Sequence, residues 1–341
     1  MKKIDENIYT KITNKVENVI INNKLITTGD KIIVAVSGGP DSMCLLSVLN
    51  DLKSKFNQKY NIKYSLIVAH VNHMIREVSN DEKLYVEEFC KKIQVPFFYL
   101  KKDVVKLSKK LKLSEETCGR KVRYDFFNEI LIKENAMKIA VAHNLDDNVE
   151  TIMLNIIRGC GLKGLTGMDY KFENIIRPLL DIEKKYILQY NEIENLNPCF
   201  DITNEQVDHD RNKIRNILIP ELKCEYNKNI LDNITRMKKI LSLDEDFLQQ
   251  FCEIKVKENV IKMCDDKIEV NYQNILKEHM AIQQRCIRQI IKMKIKNLDG
   301  IENIHILDIL KLLENNIKGK KYIIGNKFTI QIVKKYVAVI Y

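Results

Sequence analysis

Ser37-Gly38-Gly39-Pro40-Asp41-Ser42 is the stretch of this chain best suited to holding a polyanion. Five apolar residues, Ile32 to Val36, run into it, and an apolar run with helical character, Met43 to Leu49, leaves it. Strand, Gly-Gly turn and helix start together make an anion cradle. The glycines permit positive φ and close backbone approach, and the first helical turn offers unpaired N–H donors and a positive dipole end. An ordinary βα turn also uses glycine, but six residues in this order at a strand-to-helix junction point to a nucleotide. No Lys-Ser/Thr pair follows the glycines, so this is not a Walker A loop.

A second group of chemical side chains lies in Ala142-His143-Asn144-Leu145-Asp146-Asp147-Asn148-Val149-Glu150-Thr151. With a helix starting near Asp146, Asp147 and Glu150 stand three apart on one face, and His143 sits on the strand end that enters it. Acids at a helix start complement the dipole, which accounts for one of them. It leaves unexplained a histidine and three acids converging on one point. Two carboxylates on one face can bind an ammonium group, hold Mg²⁺ beside phosphates, or both. A third group, Glu115 to Tyr124, carries Arg120 and Arg123 at i and i+3, a spacing suited to pinning phosphates and equally to a solvated basic face. Arg158-Gly159-Cys160-Gly161-Leu162-Lys163-Gly164-Leu165 ends a helix in a basic glycine-rich loop. Arg211-Asn212-Lys213-Ile214-Arg215 is a charge run that alone would be read as solvated.

The elements that must position these groups alternate. A covering helix is predicted over Ile4 to Leu25, followed by the strand before the loop and the helix after it. Strands follow at Tyr64–Val71, Pro96–Leu100 and Lys138–Ala142. Helices are predicted at Asp81–Ile93, Ser114–Ile132, with Ser114 as cap, and Asp146–Ile157. That alternation predicts an α/β fold, a doubly wound parallel sheet of Rossmann-like kind. Ligands of such sheets bind outside the carboxyl ends of the strands. The Ser37–Ser42 loop, His70-Val71-Asn72-His73 and the His143 segment all fall at those ends, so one shared site is expected.

Past about residue 200 the pattern changes. Ile214 to Gln250 is helical and charged, and Ile261 to Val270 alternates around Asp265-Asp266 as a small hairpin. Helices follow at Ile275–Ile295 and Ile304–Asn315, then two β-rich runs around Gly325-Asn326. The expected organisation is a catalytic domain over 1–212 and a smaller, mostly helical α+β domain over 213–341, divided in the polar stretch Asn195 to Lys213.

The bulk composition narrows the partners. A net charge of +10 fits a polyanionic one, although Lys-, Ile- and Asn-rich usage alone can produce it. Nine cysteines are scattered without a CxxC pair, which argues against zinc or iron–sulfur frameworks and for reduced thiols in a cytoplasmic protein. No apolar run approaches the roughly 20 residues of a membrane span. Oligomeric state is open, a homodimer included.

The loop resembles the SGGxDS loop of the PP-loop ATP pyrophosphatases. The ordered set of SGGPDS, His70–Arg76, Glu115–Tyr124, His143–Thr151, Arg158–Met168, Ile175–Leu180, Asp201–Asn204 and Arg211–Pro220 resembles the tRNA(Ile)-lysidine synthetases. The likeness is strong over about residues 30 to 220 and weak beyond. Asn148 replaces the usual Gln and Gly119 the usual Ala. The resemblance implies ATP, with Mg²⁺, as cofactor, and as substrates L-lysine and an isoleucine tRNA with a CAU anticodon. The wobble cytidine would be adenylated at its 2-carbonyl oxygen, expelling pyrophosphate, and the lysine amine would then displace AMP. It assigns Ser37 to Ser42 to the pyrophosphate, with Asp41 toward Mg²⁺, and Arg120 and Arg123 to the α-phosphate and leaving AMP. It gives Asp147 and Glu150 to lysine or metal, His143 to proton management, and Arg211 and Arg215 to tRNA or the adenylate. Two other readings share the loop. A tRNA thiolase generally needs paired cysteines, whereas Cys118 and Cys160 stand alone. A small-molecule amide ligase of the NAD- or GMP-synthetase type would not need the basic junction.

Overall fold

The computed structural model describes residues 2–74, 79–199, 210–295, 298, 300–325 and 327–341. Ile75 and Arg76, the Asp201–Asn204 segment and Asn326 lie outside the described residues. The chain divides into two compact units, 1–238 and 239–341.

The first unit carries a six-stranded sheet. Its elements run α1 (Lys2–Asn22), β1 (Lys31–Ala35), α2 (Pro40–Tyr60), β2 (Ser65–Asn72), α3 (Ser79–Lys92), β3 (Phe97–Lys101), α4 (Val104–Leu111), α5 (Glu115–Lys133) and β4 (Lys138–Ala140). Then come α6 (Leu145–Ile157), α7 (Leu162–Leu165), β5 (Lys171–Phe172), β6 (Ile175–Ile176) and α8 (Lys184–Ile193). The strand order is β3-β2-β1-β4-β6-β5, parallel except for the β5–β6 edge hairpin. Residue alternation explains why β1 reads as an unbroken apolar run. Ile32, Val34 and Val36 face the core beneath α1, α2 and α8, while Ile33 packs on the other face against Phe126, Phe127 and Ile130 of α5. A strand covered on both sides has no polar face to display.

Chain order places the site. From β1 the chain moves outward through β2 and β3, then returns to β4 on the opposite flank of β1. The segments leaving β1 and β4 therefore diverge and open a crevice at their carboxyl ends, the switch point where doubly wound sheets bind ligands.

Beyond the segment 200–209 a helical run follows: α9 (Asp210–Lys213), a π-helical turn over Ile214–Leu218, α10 (Ile219–Glu221) and a second π-helical turn over Leu222–Tyr226. Pro220 lies between the two turns and lacks the N–H a regular helix would use there, a recognised cause of local widening. The expected division at 212/213 differs from the compact units, which meet at 238/239. The reason is packing: Ile214, Ile219, Leu231 and Ile234 form a core with Leu145, Val149 and Ile152 of α6.

The second unit has its own core. α11 (Ile230–Asn259) leads into it, followed by β7 (Val260–Met263), β8 (Ile268–Asn271), α12 (Met280–Ile295), α13 (Asn303–Asn315), β9 (Lys321–Ile324), β10 (Phe328–Lys334) and β11 (Val337–Ile340). The strands make an antiparallel sheet of order β7-β8-β11-β10-β9. The expected hairpin and tail runs thus join in one five-stranded sheet, and the second tail run divides at Lys335-Tyr336, where Tyr336 takes φ +60°. No helix among the described residues is long and apolar enough to cross a membrane.

Candidate active site

The loop after β1 is organised by its own serines. Ser42 Oγ donates to the Gly39 carbonyl at 2.9 Å and accepts from the Ser37 amide at 3.1 Å, which folds the loop onto the first turn of α2. Positive φ is confined to Gly38 (φ +91°), whereas Gly39 is extended at φ −77° and caps α2. A Cβ on Gly39 would meet Ser37 Oγ at 3.5 Å and the Cys199 carbonyl at 3.9 Å, both ordinary contacts. Gly39 is therefore free of steric demand from the protein itself, and the room beside it belongs to the cavity it lines. The Gly38 carbonyl is held by the Cys199 amide at 3.0 Å.

That cavity has a volume of about 760 Å³, within the range of small-molecule sites. Ser37, Gly39, Pro40, Asp41 and Ser42 line one side, and Arg120, Arg123, His143, Asp147, Glu150 and Arg215 also border it. The structure thus gathers residues from the ends of β1 and β4, from α5, and from the run 210–226. Gly38 and Arg211 do not line it themselves but are bonded to residues that do, Cys199 and Glu150. Small apolar residues, Ala35, Ala69 and Val141, with Tyr124 and Phe127, supply a wall suited to a flat ring.

Four charged groups form a closed cluster at the start of α6. Asn144 and Asp147 make a reciprocal capping box, the Asn144 side chain accepting from the Asp147 amide at 2.9 Å and Asp147 Oδ2 from the Asn144 amide at 3.1 Å. Glu150 is 1% exposed and accepts from Arg211 Nε at 2.9 Å, Arg215 Nε at 2.6 Å and a second Arg215 nitrogen at 2.9 Å. Asp147 Oδ1 accepts from the same Arg215 nitrogen at 2.9 Å. The partners of the two carboxylates here are guanidiniums, two positive charges against two negative. The same pairing answers the expectation of a solvated Arg211–Arg215 run, since these side chains are half-buried against α6.

Arg120 stacks over Tyr124, its guanidinium carbon 4.8 Å from the ring centre. His143 Nδ1 accepts from Arg177 Nε at 3.2 Å. Burial, together with Arg177, Arg211, Arg120 and Arg123, holds the His143 pKa down at about 3. At neutral pH that keeps the ring uncharged.

Lys184 and Arg177, which the sequence did not single out, join residues that it did. Lys184, at the start of α8, pairs with Asp41, whose other oxygen accepts from Asn144 Nδ2 at 3.0 Å. His73 lines the cavity with its Nδ1 buried and without a partner among the described residues, and burial is the main cause of its pKa of about 4. Arg177 is buried in the apolar segment Ile175–Leu180; a cation inside such a run was the available signal. Asn148, where Gln is usual, accepts from the Met168 amide at 2.7 Å and pins the Arg158–Met168 loop. A Cβ at Gly167 (φ +62°) would fall 2.4 Å from that same oxygen. Gly119 has room for the usual Ala, with the nearest atom, on the His73 ring, at 3.7 Å.

For Mg²⁺ the residues present fit a shared site: Asp41 supplies one carboxylate at the loop, and such ions take most of their shell from phosphates and water. Among the described residues no group of three or more His, Cys, Asp or Glu could hold a metal by itself.

Comparison with known proteins agrees with this geometry. The PP-loop domain family matches residues 6–222. The tRNA(Ile)-lysidine synthase of Caldanaerobacter subterraneus subsp. tengcongensis is 40% identical over 323 residues, 94% of this chain and 67% of that protein. The enzyme of that name from Clostridioides difficile is 41% identical over 313 residues, 91% of this chain and 66% of the relative. That from Petrotoga mobilis is 37% identical over 240 residues, 70% and 75% respectively. The chain spans about two thirds of the length of the first two. Among solved structures, a U34-tRNA thiolase from Methanococcus maripaludis aligns with a TM-score of 0.52 at 21% identity, over 69% of this chain and 80% of its own, a likeness of fold. With its PP-loop domain and two of these relatives matched along more than nine tenths of its length, the chain belongs to the tRNA(Ile)-lysidine synthase family of PP-loop proteins.

Proposed function

We propose that the protein joins L-lysine to the wobble cytidine of a CAU-anticodon tRNA(Ile) in two steps, consuming ATP and releasing pyrophosphate and AMP. The observation that carries this reading is the cavity itself: a pyrophosphate loop, a basic α5 edge and an acid–arginine cluster border one space large enough for a nucleotide and a second ring. A pyrimidine carbonyl oxygen is a poor leaving group. In the first step it attacks the α-phosphorus of ATP, and the bond to pyrophosphate breaks. In the second, the lysine ε-amine attacks the activated ring carbon, loses a proton, and AMP departs with the oxygen. Alignment of reactants and neutralisation of phosphate charge provide most of the rate in such transfers.

The roles follow from position. Ser37, Gly38, Gly39, Pro40 and Ser42 cradle the pyrophosphate with backbone donors, and Lys184 faces the same end. Asp41, bonded here by Lys184 and Asn144, would turn its carboxylate toward Mg²⁺, which when bound would screen the phosphate oxygens. Arg120 and Arg123 take the α-phosphate and then AMP. Asp147 and Glu150 bind lysine, with Arg211 and Arg215 holding the place of its ammonium until tRNA or the adenylate draws the guanidiniums away. A homodimer and a cytoplasmic location belong to the same reading. The thiolase alternative is disfavoured by cysteine placement, since among the described residues Cys199 is the one cysteine lining this cavity, while Cys44, Cys90 and Cys118 are buried in cores.

The test is a half-reaction. With ATP labelled in the α-phosphate and lysine withheld, the label should become attached to tRNA(Ile) and be discharged as AMP when lysine is added. Label that never reaches tRNA, with pyrophosphate still formed, would rule out the adenylated cytidine.

A further inference from the structure

The bond between Arg177 and His143 sets a proton's position. A guanidinium has donors and no acceptor, so a contact of 3.2 Å from Arg177 Nε to His143 Nδ1 requires a lone pair on that nitrogen. The ring proton of neutral His143 then resides on Nε2. Because the Nδ1 edge is taken, the other edge of this cavity-bordering ring carries Nε2–H. The arrangement is built into the sheet: β6 pairs in parallel with β4, Val141 N donates to the Ile176 carbonyl at 3.0 Å, and the next residue, Arg177, falls beside the strand end that bears His143. Arg177 is fixed from the other side by a 2.8 Å bond from its terminal nitrogen to the Asp169 carbonyl.

We propose that Arg177 is a positioning residue that locks His143 as a neutral Nε2–H donor, and that His143 hydrogen-bonds a substrate oxygen during the transfer without taking or giving up a proton. The catalytic part of this inference rests on the reaction proposed above; the tautomer does not. A neutral donor is suited to an oxygen on which charge builds, since it stabilises that charge while remaining unchanged itself. Arg177, Arg211, Arg120 and Arg123 each oppose protonation of the ring, while of the carboxylates that line the same cavity Asp147 and Glu150 are bonded to Arg211 and Arg215 and Asp41 to Lys184. The proton released by the lysine amine therefore goes elsewhere.

The tautomer is read by NMR on protein labelled with ¹⁵N-histidine, with His143→Gln assigning the resonance, between pH 5 and 8. The expected result is one neutral form, protonated at Nε2, across that whole range. A ring protonated at Nδ1, or one that gains charge within it, would overturn the proposal in wild-type protein without recourse to activity. In Arg177→Met the His143 ring should lose its single tautomer, with a form protonated at Nδ1 appearing, and kcat for tRNA-dependent pyrophosphate release should fall about 10²-fold, the loss of one preorganised donor. The KM for ATP should stay within a few-fold, and Arg177→Lys should recover part of kcat. A folded Arg177→Met protein with unchanged tautomer and pH profile would remove Arg177 from this role. Wild-type protein with the expected tautomer but no tRNA-dependent pyrophosphate release would instead reject the reaction and leave the lock standing.

Discussion

The two edges of the parallel sheet each bury charge, and they do so to different ends. At the amino edge, Asp30 is 2% exposed and accepts from Lys138 Nζ at 2.5 Å, from the Thr27 amide at 2.6 Å and from the Thr27 hydroxyl at 3.1 Å. This pair ties the turn before β1 to the start of β4, and neither residue lines the cavity at the opposite edge. At the carboxyl edge, Asp147, Glu150 and Arg215 are as thoroughly bonded, yet they border a space of about 760 Å³. Burial and pairing alone therefore do not mark a functional charge. The feature that sets the carboxyl edge apart is a ligand-sized space beside the pair.

That contrast can be broken at the phosphate end first. Gly39→Val should lower pyrophosphate release by about 10³-fold or more in a protein that still folds, because the added bulk occupies room that no protein atom needs. Asp41→Ala should act similarly by removing the loop's carboxylate. Normal release by folded Gly39→Val would disconnect the loop from the phosphate. At the opposite edge, Asp30→Ala should cost about 3–5 kcal/mol by leaving Lys138 buried and unpaired. Thermal unfolding should register that loss while kcat per folded molecule is retained; a large fall in kcat would mean that the amino edge is not purely structural.

Glu150→Gln sharpens the comparison within the acidic pair. If Glu150 holds lysine, the lysine KM should rise roughly thirtyfold, from the loss of about 2 kcal/mol of charge-assisted bonding, while ATP-dependent activation of the tRNA survives. Pyrophosphate release collapsing at every lysine concentration would instead place metal or phosphate on Glu150. For tRNA, neutralisation of about five phosphates gives a log–log salt slope of roughly −3.5 to −4.5 in affinity, and a flat response would favour a small-molecule substrate.

The smallest effect lies away from both edges. Burial tends to raise the pKa of Glu17, but hydrogen bonds from Lys55, Lys59 and Tyr60 outweigh it and bring the pKa down from an ordinary 4.5 to about 2. A carboxylate depressed in the folded state contributes stability above its unfolded pKa and loses it as pH falls through the folded one. Acid titration from pH 5 to 2 should thus destabilise the wild-type protein progressively, and Glu17→Gln should be less stable at neutral pH with a flatter acid response. Equal acid slopes for the two proteins would discount this group.

Much of the site was legible because each signal is local. The Ser37–Ser42 loop needs only a strand before it and a helix after it, and the α6 acids need only helical spacing. Alternation along the chain also sufficed for the parallel sheet. What escaped depends on tertiary return. Lys184 meets Asp41 across 143 positions, and Arg177 reaches His143 only because the short strand β6 pairs with β4. A strand of two residues carries no periodicity to detect. The same limit explains the second unit: strands as short as four residues, two from 260–271 and three from 321–340, are weak individually and become a sheet only by pairing across the intervening helices.

The central claim is that this cavity modifies a tRNA cytidine with lysine. The most direct measurement incubates purified protein with ATP, L-lysine and bulk tRNA, digests the RNA to nucleosides and weighs them. The expected result is a single new nucleoside, a cytidine heavier by one lysine less one water, formed only when both ATP and lysine are present. A uridine that has exchanged oxygen for sulfur, or ATP turnover with every nucleoside unchanged, would contradict the account.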